Sequence, residues 1–309
     1  MNEIRIERVL VVGAGQMGHQ IAMLCALGGY TTILQDVSHE SLQKAEENLE
    51  NRMNQWVDQR KITKEKKEEA FAHLTFTNNL EEAAHDVDFV IEAIVEKLEA
   101  KRELFQRLDL LTPQHAILAT NSSTIVNSLL ADMTERPDRI CNMHFFFPPL
   151  VMDCVEVVMS EKTSEETVET VLAFCKQINR TGLLLRKEIS GFVANRILGA
   201  INREALHLYE EGIADFEEID TIVKKALGHP LGPFELIDLS GADVVYNVME
   251  LRYAETGNSW DKPSITIKEK VKSGNLGRKT GQGFYSYSGG DFVGKNNPRY
   301  NSSSFRGRT

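Results

Sequence analysis

The first apolar run, Val9 to Val12, is short, unbroken and closed by glycine. A run of that length with no polar alternation predicts a strand buried on both faces. The apolar stretch from about Met17 to Leu27 predicts a helix, stopped by Gly28 and Gly29. TTILQD predicts a second strand ending at Asp36. Strand, glycine turn, helix and strand form the repeating unit of α/β proteins. From Ser41 to about Ala72 apolar positions thin out. Two polar helices around a bend near Ile62 and Thr63 are expected there, projecting from the sheet rather than lying inside it.

Strand patterns resume in LTFTNN, DFVIEAI, AILATNSS, ICNMHFFF and VEVVMS. Apolar residues at helical spacing mark helices from Lys97 to Leu110 and from Glu165 to Asn179. LLLRK, around Leu183 to Arg186, reads as a last edge strand. After Glu188 the texture becomes almost wholly helical. GFVANRILGAINREALHLYEEG and EEIDTIVKKALG read as two helices, with Gly228 as a stop. GPFELIDLSGADVVYNVMELRYAETG suggests two more. KSGNLGRKTGQGFYSYS reads as a compact turn pinned by Phe284 and Tyr285. The expected organisation is an α/β domain over residues 1–187 with a protruding helical arm at about 41–72. A helical domain follows over 188–288, and then a polar tail over 289–309.

Composition narrows the function. Apolar residues make up 42% and charged residues 26%, as in ordinary globular proteins. A net charge of −10 argues against nucleic-acid binding. The amino-terminal stretch does not read as a signal peptide, and no apolar run approaches membrane-spanning length. Cys25, Cys141, Cys154 and Cys175 form no CxxC pair and sit in apolar surroundings. They are expected to be free, buried thiols in a reducing compartment, so the expected location is cytoplasmic and no metal is expected. Arg60, Lys61, Lys64, Lys66 and Lys67 form a local basic cluster. A solvated face is the simpler reading of it, and a contact to a phosphorylated ligand the other.

The first strand ends in GAGQMG, with Gly13, Gly15 and Gly18 at the spacing of a dinucleotide loop. Gly13 permits the tight turn, Gly15 lets backbone approach a pyrophosphate, and Gly18 lets the helix pack on the sheet. The helix N-terminus then offers free N–H groups to the phosphates. Asp36, closing the next strand, can accept hydrogen bonds from ribose hydroxyls and would repel a 2′-phosphate, which favours NAD over NADP. FAD shares the fingerprint, but no second flavin-like segment is visible. The N-terminal domain is therefore expected to be of Rossmann type.

In CNMHFFFPPLVMDCVEVV, His144 and Glu156 interrupt apolar sequence, and burying either has a cost unless it finds a partner. Along the chain, VVGAGQMGHQIA, VIEAIVEKLEAKRELF, ATNSST, MHFFFPPLVMDCVEVV, GFVANRI, EEIDTIVKKALGHPLGPFELIDLSG and GRKTGQGFY occur in order. Together they resemble the L-3-hydroxyacyl-CoA dehydrogenases, in particular the short bacterial 3-hydroxybutyryl-CoA dehydrogenases. The resemblance implies that His144 is the general base, oriented by Glu156, and that Ser123 and Asn195 hold the substrate oxygen. It places Glu96 and Lys101 on the nicotinamide side of the cofactor cleft. It makes Gly13, Gly15, Gln16, Met17 and Gly18 the pyrophosphate loop, with Asp36 on the adenosine ribose. It also implies an acyl-CoA substrate bound partly by the polar helical arm, and a homodimer formed through the helical domain. One position departs from the family pattern: HFFNP is here HFFFP, with Phe147 in place of asparagine. Phenylalanine has no comparable hydrogen-bonding group. Relatives of this fold act on non-CoA 3-hydroxy acids such as gulonate or carnitine, and these remain the alternative substrates. A non-catalytic dinucleotide-binding protein is a further alternative, because fold does not fix function.

The chemistry fits the residues. Oxidation of a secondary alcohol moves a hydride to nicotinamide and a proton to a base. Histidine takes that proton near neutral pH, and a carboxylate on its other nitrogen fixes the tautomer and stabilises the imidazolium. If His144 and Glu156 lie on antiparallel neighbouring strands, the pair can face each other. The substrate carbon is then expected between His144 and the nicotinamide, in the cleft between the domains.

Overall fold

The computed structural model describes residues 5–287, and the polar tail expected at 289–309 lies outside them. The chain divides into two units, with the boundary between Phe192 and Val193.

The first unit holds eight strands: β1 (Arg8–Val12), β2 (Thr31–Gln35), β3 (Leu74–Thr77), β4 (Phe89–Glu92), β5 (Ile117–Thr120), β6 (Ile140–Phe145), β7 (Cys154–Val158) and β8 (Thr181–Leu185). They form one sheet in the order β3-β2-β1-β4-β5-β6-β7-β8. Pairing is parallel from β3 through to β6; β7 runs antiparallel to β6, and β8 runs parallel to β7. The helices are α1 (Gly18–Leu27), α2 (His39–Asp58), α3 (Lys64–Ala72), α4 (Leu80–Ala84), α5 (Leu98–Leu111), α6 (Ser128–Ala131) and α7 (Glu165–Gln177).

The unbroken apolar strands are explained by burial on both faces. Alternate residues of β1 enter different cores: Val9 and Val11 pack on one side, Leu10 and Val12 on the other. The same division separates Phe89 and Ile91 from Val90 in β4. Each fully buried side chain of this size contributes about 1.5–3 kcal/mol. Side-chain oxygens of Ser38, Thr63 and Ser164 cap α2, α3 and α7 by accepting backbone N–H groups, which fixes where these helices begin.

Two expectations are corrected. The helices at 41–72 do not simply project from the sheet. Leu42, Ala45, Leu49 and Met53 form an apolar stripe on α2 that joins the main core. The stripe is narrow, so a count of apolar residues understates it. The unit boundary also falls later than residue 187. Gly191 (φ 77°) and Phe192 (φ 47°) form a turn in which the Phe192 N–H donates to the Ile189 carbonyl. Phe192 is fully buried and its ring packs on His144, so it belongs to the first unit.

Burial pushes the thiols of Cys141 and Cys175 up to about 12. All four cysteines are free, and Cys154 is only partly buried.

The second unit is helical: α8 (Ala194–Glu210), α9 (Phe216–Ala226), α10 (Pro233–Ser240), α11 (Ala242–Thr256) and α12 (Ile265–Ser273). Two buried aspartates organise it. Asp220 on α9 accepts the N–H groups of Phe234 and Glu235 and the Tyr285 hydroxyl. Asp238 on α10 accepts the N–H groups of Phe284 and Tyr285 and the Tyr287 hydroxyl. A Cβ on Gly232 would overlap Asp220, and one on Gly283 would overlap Asp238. GPFELID and GQGFY are therefore two halves of one structural clasp. No described helix is long and apolar enough to cross a membrane.

Candidate active site

The sheet changes direction of winding between β1 and β4, and the crevice at the carboxyl ends of those strands is where α/β sheets bind ligands. The glycine loop leaves β1 at this point. Gly13 has φ 104°, and a Cβ there would lie 2.6 Å from the Ala93 carbonyl oxygen. A Cβ on Gly18 would overlap the Gly13 carbonyl. Nothing lies within 4 Å of a Cβ built on Gly15, so the loop has free space at the one glycine expected to face a pyrophosphate.

Side chains hold the loop in this shape. Asp36 Oδ2 accepts the Ala14 N–H at 2.7 Å, and Oδ1 accepts the Ser38 N–H at 2.9 Å. The His19 Nδ1–H donates to the Gly15 carbonyl at 2.5 Å, and Gln20 Nε2 donates to the Gln16 carbonyl at 3.2 Å. Burial lowers the His19 pKa, outweighing its bond to Gly15, so the neutral ring is favoured. The sequence reading passed over His19 and Gln20; their signal was two polar residues at the start of an apolar helix. Gly13, Gly15, Gln16, Met17 and Gly18 thus lie in a braced loop at the start of α1, with no acidic residue in the first turn of that helix. Open space at Gly15, an uncontested helix N-terminus and a carboxylate at the end of β2 fit NAD.

The second feature lies further along the sheet. His144 on β6 and Glu156 on β7 are directly opposed in the antiparallel ladder. Residues opposed in register put their side chains on the same face, and His144 Nδ1 lies 2.8 Å from Glu156 Oε2. Both side chains are buried. The Phe146 ring lies 4.7 Å from the histidine ring and Phe192 lies 5.5 Å from it. Nδ1–H donating to the carboxylate leaves Nε2 as the proton acceptor. Phe147, in the segment between the two strands, is 54% exposed.

Between the two features lies a buried polar ring. Glu92, at the end of β4, is fully buried. Its Oε1 accepts from Lys101 Nζ at 2.6 Å and from the Ile94 N–H at 2.7 Å; its Oε2 accepts from the Thr120 hydroxyl at 2.6 Å. Lys101 also reaches Glu96 at 3.3 Å. Glu96 accepts from the Ser122 hydroxyl and from the N–H and hydroxyl of Thr124. Burial alone would raise the Glu96 carboxyl, but the Lys101 ammonium and these hydrogen bonds outweigh it and hold it below its usual value. Lys101 is 1% exposed, which excludes a surface salt bridge on its helix. Glu92 was missed because FVIE reads as an ordinary strand end.

Ser123 is carried on this loop, half-buried, and its hydroxyl makes no hydrogen bond among the described residues. Asn121 anchors the same loop by accepting the Phe145 N–H at 2.9 Å. Asn195 lies in the first turn of α8, in the second unit. The structure therefore brings His144 to Glu156, and Glu96 to Lys101 and the serine loop. Among the described residues there is no group of three or more His, Cys, Asp or Glu placed to hold a metal ion.

A dinucleotide loop at the switch point of a doubly wound sheet, with a buried histidine–carboxylate pair in the same unit, defines a nicotinamide-dependent oxidoreductase. The chain belongs to the 3-hydroxyacyl-CoA dehydrogenase family: the family's NAD binding domain matches residues 8–189, and its C-terminal domain matches residues 191–287. A probable 3-hydroxybutyryl-CoA dehydrogenase of Bacillus subtilis is 37% identical over 284 residues, covering 92% of this chain and 98% of that protein. The crystal structure of (S)-3-hydroxybutyryl-CoA dehydrogenase from Ralstonia eutropha superposes with a TM-score of 0.87 at 36% identity, covering 92% of this chain and 100% of the other. A diketoreductase acting on dicarbonyl compounds superposes at 0.82 with 32% identity, covering 91% and 99%.

Proposed function

We propose that this enzyme interconverts short-chain (S)-3-hydroxyacyl-CoA and 3-oxoacyl-CoA with NAD, using His144 as general base and acid. The 2.8 Å contact between His144 and Glu156 across paired strands carries the reading. In oxidation His144 Nε2 takes the hydroxyl proton, and Glu156 balances the imidazolium that results. Bound NAD supplies the hydride acceptor. Ser123 and Asn195 donate hydrogen bonds to the substrate oxygen as charge develops there. Glu96 faces the nicotinamide side and Asp36 the adenosine ribose. The Phe146 and Phe192 rings keep water from the pair.

The CoA reading draws further support from the arm. Lys64, Lys66 and Lys67 are each paired with a glutamate. Arg60 and Lys61, between α2 and α3, form no ion pair among the described residues and are available to CoA phosphates. A homodimer through the second unit is supported by exposed Val244, Val248 and Leu251, one stripe along α11. A cytoplasmic location is supported by four free cysteines.

The test is loss of NADH absorbance near ~340 nm on adding acetoacetyl-CoA. Turnover is expected, and His144→Gln should lower kcat by at least about 100-fold while leaving NADH affinity within about twofold. Surviving activity in that variant would remove His144 as the base. The exposed Phe147 and the similarity to a diketoreductase favour a second reading, a free 3-oxo acid or other non-CoA dicarbonyl substrate. Oxidation of NADH with such a compound, and none with acetoacetyl-CoA, would decide for it.

A further inference from the structure

The polar ring beside the dinucleotide crevice closes on itself. Glu92 bonds Thr120, whose hydroxyl accepts the Ser122 N–H at 3.1 Å. Ser122 bonds Glu96, Glu96 meets Lys101, and Lys101 returns to Glu92. One member, Glu96, looks outward with a side chain 40% exposed, and buried Ser122, with Thr124, holds the loop that carries Ser123. The other three, Glu92, Lys101 and Thr120, are buried with at most 1% exposure.

We infer that Glu92 is a positioning residue, whose buried carboxylate sets the cofactor-side Glu96 and the substrate-side Ser123 together through one ring. This rests on the roles given above to Glu96 and Ser123. The argument concerns degrees of freedom. Lysine is a flexible point charge on a long stem, and nothing about Glu96 alone would fix where that charge sits. Glu92 fixes it, because Oε1 holds the Lys101 ammonium and the Ile94 N–H at once. Its second oxygen ties the end of β4 to the end of β5, from which the Ser122–Thr124 loop departs. A buried ion pair is weak evidence of a role in stability, since a matched neutral pair is often as stable. The ring's distinguishing property is that its one exposed member, Glu96, and the Ser123 carried on the loop it holds are the groups placed at the two reacting partners.

The experiment compares Glu92→Gln, the double variant Glu92→Gln/Lys101→Met, and Asp109→Asn. The last breaks a different buried pair of the same unit, Asp109 with Arg136, which takes no part in the ring. Each is measured for thermal unfolding, for NADH affinity by fluorescence titration, and for kcat with acetoacetyl-CoA. For both Glu92 variants the expected result is NADH affinity weaker by about tenfold and kcat lower by about tenfold, equivalent to about 1.4 kcal/mol each. In the double variant these losses persist although removing both buried charges restores the melting temperature. Asp109→Asn loses stability and keeps both quantities within about twofold. Near-unaltered NADH affinity or kcat in the stable double variant overturns the proposal, as does an equal loss in Asp109→Asn. The NADH titration reads the ring even if acetoacetyl-CoA proves not to be the substrate.

Discussion

Phe147 is the residue at which HFFFP departs from the HFFNP pattern that the sequence resembles. It follows His144 by three residues in the chain, and more than half of its surface is exposed. A side chain without donor or acceptor at that point removes one hydrogen bond from whatever approaches the histidine. Phe147→Asn is therefore expected to raise kcat/KM on 3-hydroxybutyryl-CoA by about tenfold, the worth of one hydrogen bond to a charged or reacting group. Steady-state kinetics at matched NAD would check it. An unchanged value would mean that the asparagine is dispensable here. Individual residues divide sharply in how legible they were. His144 and Glu156 stood out as polar groups inside apolar strands. Glu92 and His19 did not, because a carboxylate at a strand end and a histidine after a glycine have ordinary explanations until their partners are seen.

Elements were legible where one face or both faces are apolar. The strands β1, β4, β5 and β6 are runs buried on both sides, and they were read directly. The inner stripe of α2 was not, since four buried apolar positions in twenty residues look like a polar helix until their spacing is matched to a core. Helix α12 was also passed over: it is short and buries only Ile267, so periodicity has little to act on. The GFY turn was read as pinned by its aromatics, but the structure adds the buried aspartates that hold its backbone. Asp238→Asn is expected to destabilise the protein by about 3 kcal/mol, because an amide cannot accept on both sides as the carboxylate does. Urea unfolding would measure this, and a loss below about 1 kcal/mol would show that the aromatic packing alone closes the turn.

At the scale of the whole molecule, two units with separate cores explain why the change of sequence texture near residue 188 was visible. The boundary was missed by a few residues because the turn at Gly191 and Phe192 is invisible in hydropathy. Association is the property least legible in the chain. An exposed apolar stripe on α11 is meaningful only against the rest of the surface. We expect the protein to run at twice the chain mass by light scattering, and Val248→Glu to shift it to the single-chain mass while both units stay folded. A monomeric unaltered protein would remove the α11 stripe as an interface.

The reversal of strand direction between β6 and β7 has a consequence for how such chains can vary. His144 and Glu156 meet because they are opposed in register, and the segment from Phe146 to Asp153 returns the chain between their strands. Residues inserted in that return leave the opposition intact. One residue inserted within either strand rotates every later side chain to the other side of the sheet, leaving the carboxylate in one core and the imidazole in the other. What descendants of this chain must preserve is the parity of two strands, whereas the twelve-residue interval is free to drift.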